Sequence, residues 1–256
     1  MVIGKVYTPT DLAFYNKGKQ IPSLLSDNIS ATVMTVLFPA IANENNDAKM
    51  VKKISQKSIK VMAYVIFPLM IGCISIAKPL VIVLLTQKWS ESIIFMQIIC
   101  LASAISILGN TSLQVIKAVG RGDILMKLEL YKKPIYLALL IIGASISVLG
   151  VAITSVLYAI CGIIINAYAV AKVIDYPFTE QLKDIFPSAL LSIIMGMCIY
   201  PIGMLNLSYI FILIVQILFG FCIYIALSRI FNLSEYRFLK NFVLEKMKGM
   251  KKNEKI

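Results

Sequence analysis

The amino-acid sequence predicts an all-α membrane protein, a polytopic bundle of about seven transmembrane helices. Hydrophobic residues make up 59% of the 256 residues and charged residues 15%, whereas a soluble domain has about 45–50% and about 25%. The apolar residues form runs close to the roughly 20 residues that a helix needs to cross a hydrocarbon core. Lysine and arginine are concentrated between these runs, which is the charge pattern that sets membrane topology.

The apolar runs divide the chain into predicted spans. The clearest is residues 61–85, in which Pro68 and Pro79 are tolerable because neighbouring helices in a bundle satisfy the freed carbonyl groups. The uncharged run after residue 135 is too long for one span, and Gly150 is predicted to divide it into a helical hairpin. The predicted spans are residues 21–42, 61–85, 93–116, 135–149, 151–171, 185–205 and 207–228. Residues 43–60 carry lysines and an apolar stripe, which predicts a helix lying on the membrane surface.

The charge distribution predicts the orientation of the spans. If the basic tail, residues 229–256, is cytoplasmic, the four inner segments hold five, five, two and eight lysines plus arginines, and the outer loop at Lys88 holds one. Residues 1–20, the predicted end of a preceding helix and an outer loop, hold three lysines and fit the pattern least well. The positive-inside tendency therefore predicts a cytoplasmic C-terminus.

Several function classes are disfavoured by composition. The net charge of +12 could indicate a nucleic-acid partner, but these cations occupy the positions of topology determinants, so no nucleic acid is expected. The chain has no histidine, which removes the commonest general base and metal ligand. We therefore expect a protein that is not an enzyme, with no metal site and no cofactor.

Five local strings carry a resemblance to a known family. They are IGKVYTPTDLAFYNKGKQIP (residues 3–22), VLFPAIA (36–42), YVIFPLMIG (64–72), AKPLVIVLLTQKW (77–89) and IKAVGRGDILMKLELYKK (116–133). In this order and spacing they resemble the second half of bacterial polysaccharide flippases. These are the Wzx-type translocases of lipopolysaccharide and O-antigen biosynthesis, in the multidrug/oligosaccharidyl-lipid/polysaccharide exporter superfamily.

The resemblance implies a function and partners. It implies the C-terminal lobe of a flippase that moves undecaprenyl-diphosphate-linked oligosaccharide across the bacterial cytoplasmic membrane by alternating access. Family members have about twice this length, so the resemblance implies either a fragment, the preferred interpretation, or a chain completed by a separate N-terminal half or a full-length flippase. The alternatives are a truncated or non-catalytic membrane subunit and, less favoured, a membrane-embedded glycosyl- or acyltransferase of the same pathway.

Such a substrate would need cations for the diphosphate, and the candidates are Lys17, Lys19 and Lys78. Lys78 falls within a predicted span, where a cation is costly and usually functional, although its side chain could instead reach the nearby interface. For Lys17 and Lys19 the alternative is a solvated loop.

Asp27 with Asn28 could bind a coupling cation or a sugar hydroxyl, and Asp27 is the carboxylate expected near membrane depth. Alternatively, Asp27 only interacts with the dipole of its own helix. The polar residues 110–114 are expected to join helices rather than bind sugar, and Trp89 is expected to anchor the chain at the interface.

Overall fold

The structure, a computed structural model, describes residues 7–43 and 47–241. The described residues contain no strand, and the predicted all-α class is confirmed. The α-helices are α1 (Pro9–Ala42), α2 (Ala48–Ser75), α3 (Ala77–Leu85), α4 (Ser92–Ala118), α5 (Gly122–Ile146), α6 (Val148–Ile174), α7 (Phe178–Ile199) and α8 (Tyr209–Ile230). Short 3-10 segments follow α3 and α7, at Gln87–Trp89 and Tyr200–Met204, and residues 234–241 are helical.

Within residues 7–43 and 47–241, five stretches are long and apolar enough to cross a membrane: α2, α4, α6, α7 with its 3-10 extension, and α8. The chain is therefore a multi-pass helical membrane protein. The predicted span 21–42 lies within α1, and the predicted span 135–149 lies mostly within α5, which ends at Ile146. Neither α1 nor α5 is among these five. That they cross the membrane stays a prediction, as does the count of seven.

The start of α1 differs from the expectation of a loop up to residue 20. The helix begins at Pro9 because Thr8 and Asp11 cap it: Asp11 N–H donates to Thr8 Oγ1 over 3.2 Å, and Thr8 Oγ1 donates to Asp11 Oδ2 over 2.7 Å. Proline at the first helical position supports this start because its missing N–H needs no partner there. Lys17 and Lys19 are therefore on a helix rather than in a loop.

The predicted surface helix and the span that follows it form one helix, α2, of 28 residues. Asp47 caps it by accepting from the backbone N–H groups of Lys49 and Met50. The helix ends at Ser75 and α3 begins at Ala77, so Pro79 occupies the first turn of α3, where its missing N–H is tolerated. The break therefore lies three residues before Pro79, at Ile76.

The basic part of α2 packs on α7 instead of lying alone on the membrane surface. Lys52 Nζ is 3.0 Å from Glu180 Oε2, and Lys60 Nζ is 3.0 Å from Asp184 Oδ1. Tyr176 is fully buried beside this ion-pair row and donates its hydroxyl to Asp184 over 2.7 Å. Burial, followed by the hydrogen bond to Asp184, raises the pKa of Tyr176 above its ordinary value. Residues 172–184, which separate two of the predicted spans, are thus largely helical.

Helix α4 lies at the centre of the bundle, against α1, α2 and α6. Small residues permit the close contacts: a Cβ on Gly18 of α1 would lie 2.6 Å from Phe95 Cβ and 2.8 Å from the Ser92 carbonyl oxygen. On the other side, Gly109 faces Ile163 of α6, and Asn166 Nδ2 donates to the Gly109 carbonyl over 2.9 Å. In lipid the hydrophobic effect does not drive helices together, so helix association depends on small residues that permit close packing and on interhelical hydrogen bonds.

Helices α5 and α6 form the predicted hairpin, but its break is at Ser147 rather than Gly150. Ser147 has an extended backbone and caps α6 by accepting from the Gly150 N–H over 2.9 Å. Gly150 lies in the first turn of α6, and a Cβ there would be 2.7 Å from the Gly143 carbonyl oxygen. Gly150 is thus required by the close approach of the two helices and not by the turn.

We expect Gly143→Ala to destabilise the hairpin. The added methyl would lie 2.7 Å from Thr154 Oγ1 and 2.9 Å from the Gly150 carbonyl oxygen, and such overpacking costs about 1–3 kcal/mol. Gly162→Ala is the matched control, because no heavy atom lies within 4 Å of its added Cβ and alanine favours a helix by up to about 1 kcal/mol. Thermal unfolding in detergent should give a lower Tm for the first variant only, and equal Tm values would contradict the packing described.

Candidate functional site

A groove of about 290 Å³ lies between α1, α4 and α6. Its polar lining consists mainly of hydroxyl groups, from Tyr15, Ser23, Ser26, Ser30, Ser103, Ser106, Ser155 and Tyr158. Lys19, Asp27 and Asn110 add an ammonium, a carboxylate and an amide, and Ile99, Ala102 and Ile107 complete the wall. Hydroxyl and amide groups both donate and accept hydrogen bonds, so the groove can bind a polyhydroxylated molecule.

Helical spacing brings these side chains together. On α1 the lining residues Tyr15, Lys19, Ser23 and Asp27 recur every four positions, and side chains at that spacing share one face of a helix. The same rule places Ser103, Ser106 and Asn110 on one face of α4. The close contact at Gly18 holds the two faces beside each other.

The groove brings together two of the charged residues expected in a site, Lys19 and Asp27. Both side chains are exposed along α1, about 12 Å apart along the helix axis at 1.5 Å per residue. An anionic group and a hydroxylated or cationic group could therefore occupy the groove at the same time. Their roles in binding stay predictions.

Ser26 adds an unsatisfied polar atom to the lining. Its Oγ is buried and has no hydrogen-bond partner within the described part of the chain. An unsatisfied buried hydroxyl costs about 1–3 kcal/mol, and a ligand hydroxyl or water in the groove would remove that cost.

Lys17, predicted as a substrate cation, points to a different part of the structure. Its ammonium lies 5.3 Å from the centre of the Trp89 ring, and Phe14 packs on the edge of the same ring at 5.8 Å. Lys17 is not part of the groove lining. This cation–π contact connects the beginning of α1 to the α3–α4 connection.

Lys78 and Asn28 are also outside the groove lining. Lys78 is exposed in the first turn of α3. Asn28 Nδ2 donates to the Leu24 carbonyl oxygen over 2.7 Å, within its own helix. The structure thus brings Lys19 and Asp27 to one site, and it does not bring Lys17, Lys78 or Asn28 there.

Residues 110–114 divide between two roles. Thr111 and Ser112 are buried, and Ser112 Oγ donates to Gln181 Oε1 of α7 over 3.4 Å. Asn110, in contrast, is exposed and lines the groove. The expected role in helix packing therefore fits Thr111 and Ser112, while Asn110 belongs to the site.

A second, apolar cavity of about 460 Å³ lies between α2, α4 and α7. Its wall includes Phe67, Met70, Ile74, Leu101, Ile193 and Met197. Neither this cavity nor the part of the groove lined by Ser155 and Tyr158 was predicted from the sequence. Hydroxyl groups repeating at helical spacing could have indicated the groove, whereas nothing in an apolar run indicates where helices leave a gap.

The fold and the groove define the class of protein: a multi-pass helical membrane protein with the fold of a lipid flippase. A solved structure of the lipid II flippase MurJ, in an inward closed conformation, matches with a TM-score of 0.71 and 18% sequence identity. The match covers 90% of this chain and 48% of that one. Within the described residues no group of three or more His, Cys, Asp or Glu could hold a metal ion.

Sequence comparisons agree with this class. Residues 1–94 match the family described as polysaccharide biosynthesis protein. The chain is 22% identical over 205 residues to the teichuronic acid biosynthesis protein TuaB of Bacillus subtilis, covering 80% of this chain and 42% of TuaB. It is 23% identical over 159 residues to the lipopolysaccharide biosynthesis protein WzxC of Escherichia coli, covering 62% of this chain and 32% of WzxC.

These matches agree with the resemblance: over part of its length the chain is similar to polysaccharide biosynthesis proteins, and its fold is similar to that of the lipid II flippase MurJ. The chain spans less than half the length of TuaB and WzxC, at 42% and 32%.

The Lys17 contact can be tested through Trp89, the single tryptophan of the chain. We expect Lys17→Gln to uncover the indole ring, so that acrylamide quenches its fluorescence more strongly, and to cost about 0.5–1 kcal/mol of stability. Lys19→Gln, two residues along the same helix and in the groove, should leave the quenching unchanged. Equal quenching in the two variants would show that Lys17 does not cover the ring.

Proposed function

We propose that this chain is the C-terminal lobe of a flippase that moves a lipid-linked oligosaccharide precursor across the bacterial cytoplasmic membrane. The observation that carries the proposal is a hydroxyl-lined groove between α1, α4 and α6 in a bundle of membrane helices. Soluble domains place such polar surface in water, but within a membrane it must face protein, water or a polar ligand.

The groove chemistry fits the head of such a substrate. Serine and tyrosine hydroxyls together with the Asn110 amide can exchange hydrogen bonds with sugar hydroxyls. Lys19 offers a cation to a phosphate oxygen, and a charge-assisted hydrogen bond of this kind is stronger than a neutral one. Asp27 can accept from a sugar hydroxyl or hold a coupling cation.

The lipid part of the substrate needs an apolar path. The cavity between α2, α4 and α7 has an almost wholly apolar wall and opens from the bundle, so we propose that it receives part of the polyprenyl tail, such as that of an undecaprenyl-diphosphate carrier. Burial of apolar surface drives this contact, and each CH₂ group contributes about 0.8 kcal/mol.

Alternating access needs a second lobe. The face of α1 that carries Asn16, Lys19, Gln20 and Asp27 is exposed, and polar side chains at membrane depth must be covered by protein or line a water-filled cavity. We propose that a first lobe, in the same polypeptide or supplied by another chain, faces this surface and that rocking of the two lobes exposes the groove to each side in turn. The positive-inside distribution supports a cytoplasmic C-terminus.

The test is complementation of a flippase-deficient bacterial strain, scored by surface polysaccharide. We expect rescue when this chain is expressed with a matching first-lobe chain, and no rescue by this chain alone. Lys19→Gln and Asp27→Asn should each reduce rescue about tenfold or more, since a hydrogen bond to a charged group is worth about 1.5–3 kcal/mol and 1.4 kcal/mol is tenfold in affinity.

Lys53→Gln is the matched control, because Lys53 is exposed on α2 and away from the groove. All variants should be quantified in the membrane fraction so that loss of insertion is not scored as loss of transport. If Asp27→Asn and Lys19→Gln restore surface polysaccharide as well as Lys53→Gln does, the groove does not bind the transported substrate. Transport by this chain alone in liposomes would remove the need for a second lobe.

A further inference from the structure

Helix α5 contains an ion pair whose lysine is buried and whose carboxylate is half exposed. Lys132 Nζ lies 2.7 Å from Glu129 Oε1, three residues earlier on the same helix. The Lys132 side chain is 7% exposed, while that of Glu129 is 51% exposed. Glu129 is thus a half-exposed carboxylate on a bundle helix, and Lys132 is a cation whose side chain is almost entirely buried.

Contacts between helices give the depth of this pair. In the α5–α6 hairpin Gly143 faces Gly150, and the rings of Tyr136 and Tyr158 are 5.1 Å apart. Lys132 lies one turn, about 6 Å, further from the hairpin loop than Tyr136. Tyr158 lines the groove, whereas Lys132 and Glu129 are not among its lining residues. Along the hairpin, the ion pair therefore lies about one turn beyond the level of Tyr158.

Helix α4 gives a second measure of the same depth. In the antiparallel hairpin, Gly143 lies opposite Gly150 and Tyr136 lies opposite Tyr158. Continuing this pairing places Lys132 opposite about residue 162 of α6. Gly109 of α4 packs against Ile163 of α6. Lys132 is therefore at the depth of Asn110, which follows Gly109 and lines the inner end of the groove.

The pair has the properties of an exchangeable contact. A lysine ammonium has three N–H donors, and burying it without an anionic partner is costly. Glu129 supplies that partner when no ligand is bound. Half of the Glu129 side chain is exposed, so its carboxylate can turn away from Lys132 without becoming more buried. A phosphate group offers the same negative charge and more acceptor oxygens than a carboxylate.

We propose that Lys132 is a phosphate-binding residue at the level of the inner end of the groove, with Glu129 holding its ammonium until the diphosphate of a lipid-linked substrate takes the place of the carboxylate. This inference rests on the proposed function, since it concerns the head group of the same substrate. It has a consequence that a structural ion pair lacks: the two partners affect ligand affinity in opposite directions.

The test is binding of farnesyl diphosphate, a short polyprenyl diphosphate, to the full chain in detergent, measured by isothermal titration calorimetry. We expect Lys132→Gln to weaken binding about tenfold or more and Glu129→Gln to strengthen it severalfold, because the competing carboxylate is gone. Lys133→Gln is the matched control: Lys133 is the exposed neighbour, and its variant should bind as the unmodified chain does. Farnesol, which lacks the phosphates, should bind equally to all four proteins.

Three results would overturn the inference. The first is equal binding by Lys132→Gln and Lys133→Gln, or no preference of the unmodified chain for farnesyl diphosphate over farnesol. The second is weakened binding in both Glu129→Gln and Lys132→Gln together with a lower Tm, which would make the pair structural. The third is inorganic pyrophosphate binding as tightly as farnesyl diphosphate, because the site would then select a free anion rather than a lipid head group.

Complementation separates this inference from the proposed function. If the unmodified chain with a first lobe restores surface polysaccharide but the affinity pattern is absent, the Lys132 site is wrong and the flippase function stands. If the affinity pattern is present without rescue, the diphosphate site stands and the flippase function does not.

Discussion

The close contact of α1 with α4 at Gly18 determines most of what is distinctive about this bundle. With no side chain at Gly18, the backbone of α1 approaches the Ser92 carbonyl and Phe95, and the polar stripes of the two helices lie side by side. Lipid cannot satisfy polar groups, so α1, which is not among the helices apolar enough to cross a membrane, would alone be a poor membrane span. Together the two helices enclose a groove whose polar groups face one another, with Lys19 and Asp27 at its exposed edge.

The remaining charges of the bundle follow from the same restriction on polar groups. On α2, Lys52 and Lys60 turn toward the carboxylates of α7, so that the basic segment becomes part of the bundle. On α5, Lys132 is buried against the bundle and paired with Glu129. The cations therefore serve three purposes: joining helices, setting topology and, in our proposal, binding an anionic head group.

The apolar and polar cavities lie on different sides of α4, which contributes Leu101 and Ala104 to one and Ser103 and Ser106 to the other. A single helix thus separates a path suited to a lipid tail from a groove suited to sugars. An amphiphilic substrate could use both, because its two parts would contact opposite faces of the same central helix.

The sequence by itself determined the all-α class, the membrane location, the hairpin and the resemblance to flippases, because hydropathy, charge position and short strings act locally along the chain. It also predicted roles for Lys19 and Asp27, which line one groove. It misplaced the start of α1, the break at Ser147 and the surroundings of Lys17. Those features depend on which helices pack together: Lys17 meets the ring of Trp89, and Gly150 meets the carbonyl of Gly143, only after the helices pack. That packing belongs to the tertiary structure alone.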